Sequence, residues 1–324
     1  MTTRKVAVTD YTFDSLDVER TILEPLGCQV VGQKTGKDPQ QLADLVKDAD
    51  YVLTQFAPVN AAVVSAMQKC KVIVRYGIGV DNVDLRAAAA KCIPVCNVPD
   101  YCINEVADHA LAMILDLTRK ITANAAKVKS GGWGSAVPLQ ALSAVKDLCI
   151  GIVGWGRIGR EVAGRLKAFK CEILVHDPAV GDSTISAAGF TPVGLDELLR
   201  RSDLVTLHCP SNEGNRQMIN AQSLARMKAC AMLVNTSRGT LVKTGDLIAA
   251  LQAGTISAAA LDVTDPEPPD PDSPLRKMDN VIITSHIASA SPKAVLKLRR
   301  QAANIVALAA RGEKLPNIVN GVTA

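Results

Sequence analysis

Short β-branched runs alternate with Ala- and Leu-rich amphipathic segments from one end of the chain to the other. Brief apolar runs bounded by turn residues suit strands buried on both faces, and longer stretches of helical period suit helices packed over them. Strands are expected at KVAVTD (5–10), YVLT (51–54), KVIVR (71–75) and IPVCNV (93–98). A long helix is expected over 104–129, which contains neither Gly nor Pro, and a Gly-rich loop follows over 130–138. A second series of strands then begins: DLCIGIV (147–153), CEILVHD (171–177), LVTLHC (204–209), AMLVNTS (231–237), SAAALDV (257–263) and VIITSH (281–286). Helices are expected at 157–170, 243–254 and 291–312. The alternation predicts an α/β protein, and these six later runs fit an open, doubly wound parallel sheet.

At 324 residues the chain is long for one hydrophobic core, so two domains are the default. Composition, 48% hydrophobic and 21% charged, is that of a water-soluble globular protein. No stretch of about eighteen uncharged apolar residues occurs, so no membrane span is expected. The N-terminus, MTTRKVAVTDYTFD, has early charges and no apolar signal core, so a cytoplasmic location is expected. A net charge of +4, dispersed along the chain, gives no footprint for nucleic acid. The nine cysteines are odd in number and form no C-x-x-C pair, which reads as reduced thiols rather than a metal site or a disulfide framework.

Chemistry enters at GWGRIG, where Gly154, Gly156 and Gly159 fit G-x-G-x-x-G between an expected strand and an expected helix. The first glycine permits a tight turn, the second a close approach of backbone to a pyrophosphate, and the third helix–strand packing. The helix N-terminus beyond offers N–H groups to phosphate oxygens. Asp177 ends the next strand about twenty residues on, where a carboxylate accepts from ribose hydroxyls and repels a 2′-phosphate. NAD is therefore expected over NADP. Three later segments each carry a polar residue suited to acid–base work on a carboxylate substrate: Arg238 in VNTSRG, Glu267 in DVTDPEP and His286 in ITSHIAS. Read singly, each is ordinarily a solvated or structural side chain; together at such positions they suggest a site.

Segments GIGVDNVDL (77–85), NVPDYCINEVADHAL (97–111), GIVGWGRIGREVAGRL (151–166), HDP (176–178), VNTSRGTLV (234–242), LDVTDPEP (261–268) and SHIASAS (285–291) stand in the order of a known set of blocks. On them the sequence resembles the NAD-dependent D-2-hydroxyacid dehydrogenases over nearly its whole length. NVPDYCINEVADHA and RYGIGVDNVD lean toward the branch that includes the C-terminal binding proteins. The resemblance implies an enzyme that moves a hydride between NAD and a small 2-keto or D-2-hydroxy acid of the glyoxylate, hydroxypyruvate or pyruvate class. Arg238 would clamp the substrate carboxylate, His286 would be the general acid and base, and Glu267 would orient His286. Gly77, Ile78 and Gly79 would anchor the carboxylate through backbone N–H groups. Arg157 and Ile158 would lie in the phosphate turn, and His208, Cys209, Pro210, Thr236 and Ser237 would line the cofactor, as would Arg238 and His286. Asp262 would hold the nicotinamide carboxamide. Of the other histidines, His109 is read as a packing or interdomain residue and His176 as packing.

By the same resemblance there are two Rossmann-like domains. Residues 1–102 with 293–324 would form a smaller, discontinuous, flavodoxin-like substrate domain, and 103–292 the NAD-binding domain. The reaction would take place in the cleft between them, with hinges near the helix from Asn104 and near 288–293. A homodimer formed partly through that helix and the loop after it is expected, and no metal. Two other readings stay open: an NAD-binding corepressor, although Ser289 stands where corepressors carry a Trp, and a D-3-phosphoglycerate dehydrogenase, although TQFAPV (54–59) offers no cation for a phosphate. Phosphite dehydrogenases place a Lys where this chain has Ile78, which disfavours that chemistry.

Overall fold

A computed structural model describes residues 3–34, 36 and 38–323. The chain divides into two compact units, Met1–Tyr101 with Ser291–Ala324, and Cys102–Ala290. Each is an α/β layer structure around its own parallel sheet.

Among its described residues the discontinuous unit holds five strands: β1 (Arg4–Val8), β2 (Cys28–Gly32), β3 (Tyr51–Thr54), β4 (Ile73–Arg75) and β5 (Val95–Cys96). Their order, β2-β1-β3-β4-β5, is that of flavodoxin-like sheets, and every pairing is parallel. Alternate residues face opposite sides, so both faces need cover. Val6, Val8, Leu53 and Val74 join one core, which takes Leu298, Ala302 and Val306 from the helix Pro292–Arg311. Ala7, Val52, Ile73 and Val95 join the other, under Leu42, Val46, Val63 and Val64.

The helix Pro292–Arg311 begins where Ser291 accepts a hydrogen bond from Ala294 N, with Pro292 in the first turn, and it ends at Gly312 in a left-handed conformation. Arg299 fixes its rotation by donating to both oxygens of the fully buried Glu19 at 3.0 and 2.6 Å. Tyr76 Oη also donates to that carboxylate.

The continuous unit holds seven strands: β6 (Cys149–Val153), β7 (Glu172–His176), β8 (Thr191–Pro192), β9 (Leu204–Leu207), β10 (Met232–Asn235), β11 (Ala258–Leu261) and β12 (Val281–Ile283). The order is β12-β11-β10-β9-β6-β7-β8, again parallel throughout, which is the dinucleotide-fold order with one strand added. The chain reverses its direction of progress across the sheet between β6 and β9. Ligands of open α/β sheets bind outside the strand carboxyl ends at such a point.

Two strands, β2 and β8, were not anticipated from the hydrophobic pattern. The expected helix 104–129 is in fact two helices, Ile103–Arg119 and Ile121–Lys129. The break falls at Lys120, whose φ of 53° is left-handed, and Asp116 holds it by accepting from Thr122 N and Thr122 Oγ1.

Candidate active site

Six of the seven strands of the continuous unit end in a residue singled out from the sequence, and because all run parallel those residues share one edge of the sheet. β6 ends in the glycine turn. Gly154 has a φ of 103°, and a Cβ there would lie 2.6 Å from the backbone of His208 and Cys209. A Cβ on Gly159 would lie 2.0 Å from the Gly154 carbonyl oxygen, so the third glycine lets the helix Arg157–Lys167 press onto the turn. A Cβ on Gly156 would meet no atom within 4 Å. That glycine caps the helix N-terminus and leaves room there for an approaching group. Arg157 is exposed in the first turn of the helix, while Ile158 packs partly into the core below.

Asp177 follows β7 and is tied to the turn: its carboxylate accepts from Trp155 N at 2.6 Å and Ala179 N at 2.8 Å. His176 donates from Nδ1 to the Val193 carbonyl at 3.1 Å, a packing role. His208, after β9, is buried with Nε2 2.9 Å from Thr206 Oγ1, and burial pushes its pKa down to about 4. Burial also pushes the Cys209 thiol up to about 11, so it is a poor nucleophile. Pro210 is exposed.

After β10 the chain turns through Thr236, Ser237 and Arg238. Ser237 Oγ donates to the Cys209 carbonyl at 2.5 Å, joining the ends of β9 and β10. Arg238 Nη1 donates to the Ser237 carbonyl at 2.7 Å. Thr236 Oγ1 is buried with no protein partner, a polar atom that suits an added ligand. A Cβ on Gly239 would lie 1.9 Å from the Thr264 carbonyl oxygen, so a glycine beside Arg238 lets this turn lie against the segment that leads to Glu267.

Glu267 and His286 meet directly: His286 Nδ1 donates to Glu267 Oε1 at 2.6 Å. Burial raises the pKa of Glu267, but the His286 hydrogen bond and charge, the Thr264 backbone and the Arg238 charge outweigh it and hold the carboxyl below its ordinary value. An imidazole so oriented gives or takes a proton at its other nitrogen.

His286 itself has a left-handed φ of 55°. Asp262, after β11, holds it there. The carbonyl of Asp262 accepts from His286 N at 2.8 Å, and its carboxylate accepts from Ile287 N and Ala288 N, each at 2.9 Å. Thr284 Oγ1 donates to the same carboxylate at 2.5 Å. Asp262 is 1% exposed; its carboxylate is taken up by Thr284 and the backbone after His286, while its N–H donates to the Asn235 carbonyl at 2.9 Å.

Within the discontinuous unit, Gly77, Ile78 and Gly79 follow β4. The N–H of Gly77 donates to the Arg75 carbonyl at 2.9 Å, closing the turn on itself. A Cβ on Gly77 would lie 1.4 Å from Arg75 Nη1, which shows that the guanidinium folds across the turn. Sequence reasoning passed over Arg75, because a basic residue at a strand end looks solvated. It also passed over Thr284, which reads as an ordinary β-branched strand residue.

Fold and site define a dinucleotide-binding α/β protein with acid–base groups along one strand edge. A profile of the D-isomer specific 2-hydroxyacid dehydrogenase, NAD binding domain, matches residues 111–288. The chain is 37% identical over 282 residues to a glyoxylate reductase of Korarchaeum cryptofilum, covering 86% of this chain and 85% of that one. It is 36% identical over 292 residues to a D-3-phosphoglycerate dehydrogenase of Archaeoglobus fulgidus, covering 89% of this chain and 54% of the relative. The chain thus spans about half the length of that second relative. The solved D-lactate dehydrogenase of Aquifex aeolicus, complexed with NAD and lactic acid, superposes with a TM-score of 0.87 at 28% identity over 96% of each chain. The chain belongs to the D-isomer specific 2-hydroxyacid dehydrogenase family, and residues 111–288 match that family's NAD-binding domain. The open space at Gly156 and the unpartnered Thr236 hydroxyl suit such a cofactor.

Proposed function

We propose that this protein interconverts small 2-keto acids and D-2-hydroxy acids with NAD(H), the substrate belonging to the glyoxylate, hydroxypyruvate or pyruvate class. The observation that carries the reading is the 2.6 Å bond between His286 Nδ1 and Glu267 Oε1. With Nδ1 committed to the carboxylate, Nε2 is the nitrogen that serves the substrate oxygen, and the negative charge of Glu267 favours the imidazolium that donates.

NADH held at the glycine turn would supply the hydride that reduces the carbonyl carbon. His286 gives its proton to the developing alkoxide and recovers one in the reverse direction. Arg238 pairs with the substrate carboxylate, and its planar fork holds the 2-oxygen in line for the proton. Gly154, Gly156 and Gly159 seat the pyrophosphate. Asp177 accepts from the ribose and disfavours a 2′-phosphate, so NADH is the preferred reductant. A homodimer formed through the segment after the helix Ile103–Arg119 is part of the same reading, supported by apolar side chains exposed there.

A panel of glyoxylate, hydroxypyruvate, pyruvate and 3-phosphohydroxypyruvate, run with NADH and with NADPH and read by loss of nicotinamide absorbance, tests the reading. Turnover of an unphosphorylated keto acid with NADH is expected. Preference for the phosphorylated acid would turn the assignment to phosphoglycerate chemistry. Tight NADH binding with no turnover of any acid would favour a regulator. His286→Asn should lower kcat by roughly 100-fold or more with little change in NADH affinity. Arg238→Gln should raise KM for the keto acid most. Unchanged kinetics in both variants would overturn the assignment.

A further inference from the structure

We propose that His109 is a positioning residue for His286, acting through Thr284 and Asp262; this rests on the acid–base role proposed above for His286. His109 stands on the helix Ile103–Arg119 with Nε2 3.1 Å from Thr284 Oγ1 and 3.7 Å from Asp262 Oδ1. The direction of each bond follows from counting hydrogens. A threonine hydroxyl has one, and a carboxylate only accepts. Thr284 therefore donates to Asp262 Oδ1, and it can face His109 only with a lone pair. His109 Nε2 carries the hydrogen, and the order runs one way, from His109 to Thr284 to Asp262.

At the end of that chain is His286, whose left-handed φ of 55° is uncommon outside glycine even though His, like Asn and Asp, takes it more readily than most side chains. It is kept there because Asp262 grips the chain on both sides, with its carbonyl on His286 N and its carboxylate on Ile287 N and Ala288 N. A carboxylate can hold two diverging N–H groups in one geometry only if its own plane is fixed. Thr284 fixes it, and His109 fixes the Thr284 hydroxyl rotor. Without His109 that rotor is free to turn its hydrogen elsewhere, the carboxylate loosens, and the imidazole drifts from Glu267. The glycine turn and Asp177 lie on other strands, so most of the proposed dinucleotide contacts are left in place and NADH affinity should change far less than kcat.

Four variants test this: His109→Leu, His109→Gln, Thr284→Val and Thr284→Ser, assayed with NADH and the best keto acid of the panel, with His286→Asn alongside. Gln places an amide N–H where Nε2 stood, and Ser keeps the hydroxyl. Leu and Val should lower kcat by roughly 10-fold or more while the NADH dissociation constant stays within about threefold, and Gln and Ser should restore most of the rate. The Leu–Val double variant should be no worse than the poorer single, because both cut one chain. The proton resonance of the His286–Glu267 bond should broaden or move in the Leu variant and persist in the Gln variant. If His286→Asn loses turnover while Leu and Val keep kcat within threefold, the positioning role is wrong. An equal fall of kcat, NADH affinity and melting temperature, with no rescue by Gln or Ser, also overturns it. If His286→Asn turns over normally, the acid–base reading has failed and this one falls with it. Should His109→Leu not fold, the Thr284 pair decides by the same criteria.

Discussion

His208 is a neutral histidine packed against the glycine turn, and its effect on stability has a definite sign. Its pKa of about 4 lies below the value of about 6.5 it has in an unfolded chain. Between those values the unfolded state takes up a proton that the native state refuses, so stability falls as pH drops through that window and is fully present above it. The difference corresponds to roughly 3 kcal/mol at the acid end. Glu267 acts further down: its lowered pKa gives stability that is lost as pH falls through the folded value. Urea titrations at fixed ionic strength should show the midpoint dropping from pH 7 to pH 4.5, and His208→Gln should flatten that slope while leaving the steeper fall at lower pH. An unchanged slope would place the proton uptake elsewhere. At this scale the glycine turn was legible, because Gly154 and Gly159 stand where a Cβ would strike backbone, and the meeting of Glu267 with His286 was expected from the family resemblance. The link from His109 to Thr284 was not legible, since it joins residues 175 positions apart and consists of side chains with ordinary structural uses.

Among the elements, the broken helix shows where local signals mislead. Nothing in 104–129 forbids a continuous helix by propensity, since neither Gly nor Pro is present. The interruption comes at Lys120: its N–H still makes the helical bond to the Asp116 carbonyl at 2.7 Å, but its φ turns left-handed and the Asp116 carboxylate then caps the second helix through Thr122. Lys120→Gly should stabilise the fold by about 0.5–1 kcal/mol, because Gly takes a left-handed φ without Cβ strain. Asp116→Ala should cost about 1 kcal/mol. Thermal melts check both, and a lower melting temperature for the glycine variant would contradict the strain argument. The other strands were readable because parallel strands covered on both faces are near-continuous apolar runs. β8 is Thr191–Pro192, and a proline there gives no strand signal. β2 lies at the edge of its sheet, and its burial alternates along CQVVG, so its apolar run is broken.

At the scale of the whole molecule, the helix Ile121–Lys129 has no buried residue, and Trp133 beyond it is 88% exposed, with Leu139, Ile121 and Val128 exposed as well. Apolar side chains gathered in one stretch suit a second copy of the chain, and a large aromatic there is the natural anchor. Sedimentation should find a species of twice the chain mass, and Trp133→Asp should raise its dissociation constant at least tenfold. A wild-type monomer at micromolar concentration would remove the homodimer from the functional reading. The discontinuity of the first unit bears on the order in which a ribosome can finish the protein. Five parallel strands emerge early, yet the helix that covers one of their faces, with Leu298, Ala302 and Val306, is translated only after residues 102–290. At ordinary elongation rates that interval is roughly ten to forty seconds. Throughout it, Val6, Val8 and Leu53 have only part of their native cover, from Phe13, Leu16 and Leu23, so the nascent chain has most need of a chaperone while its second unit is being made.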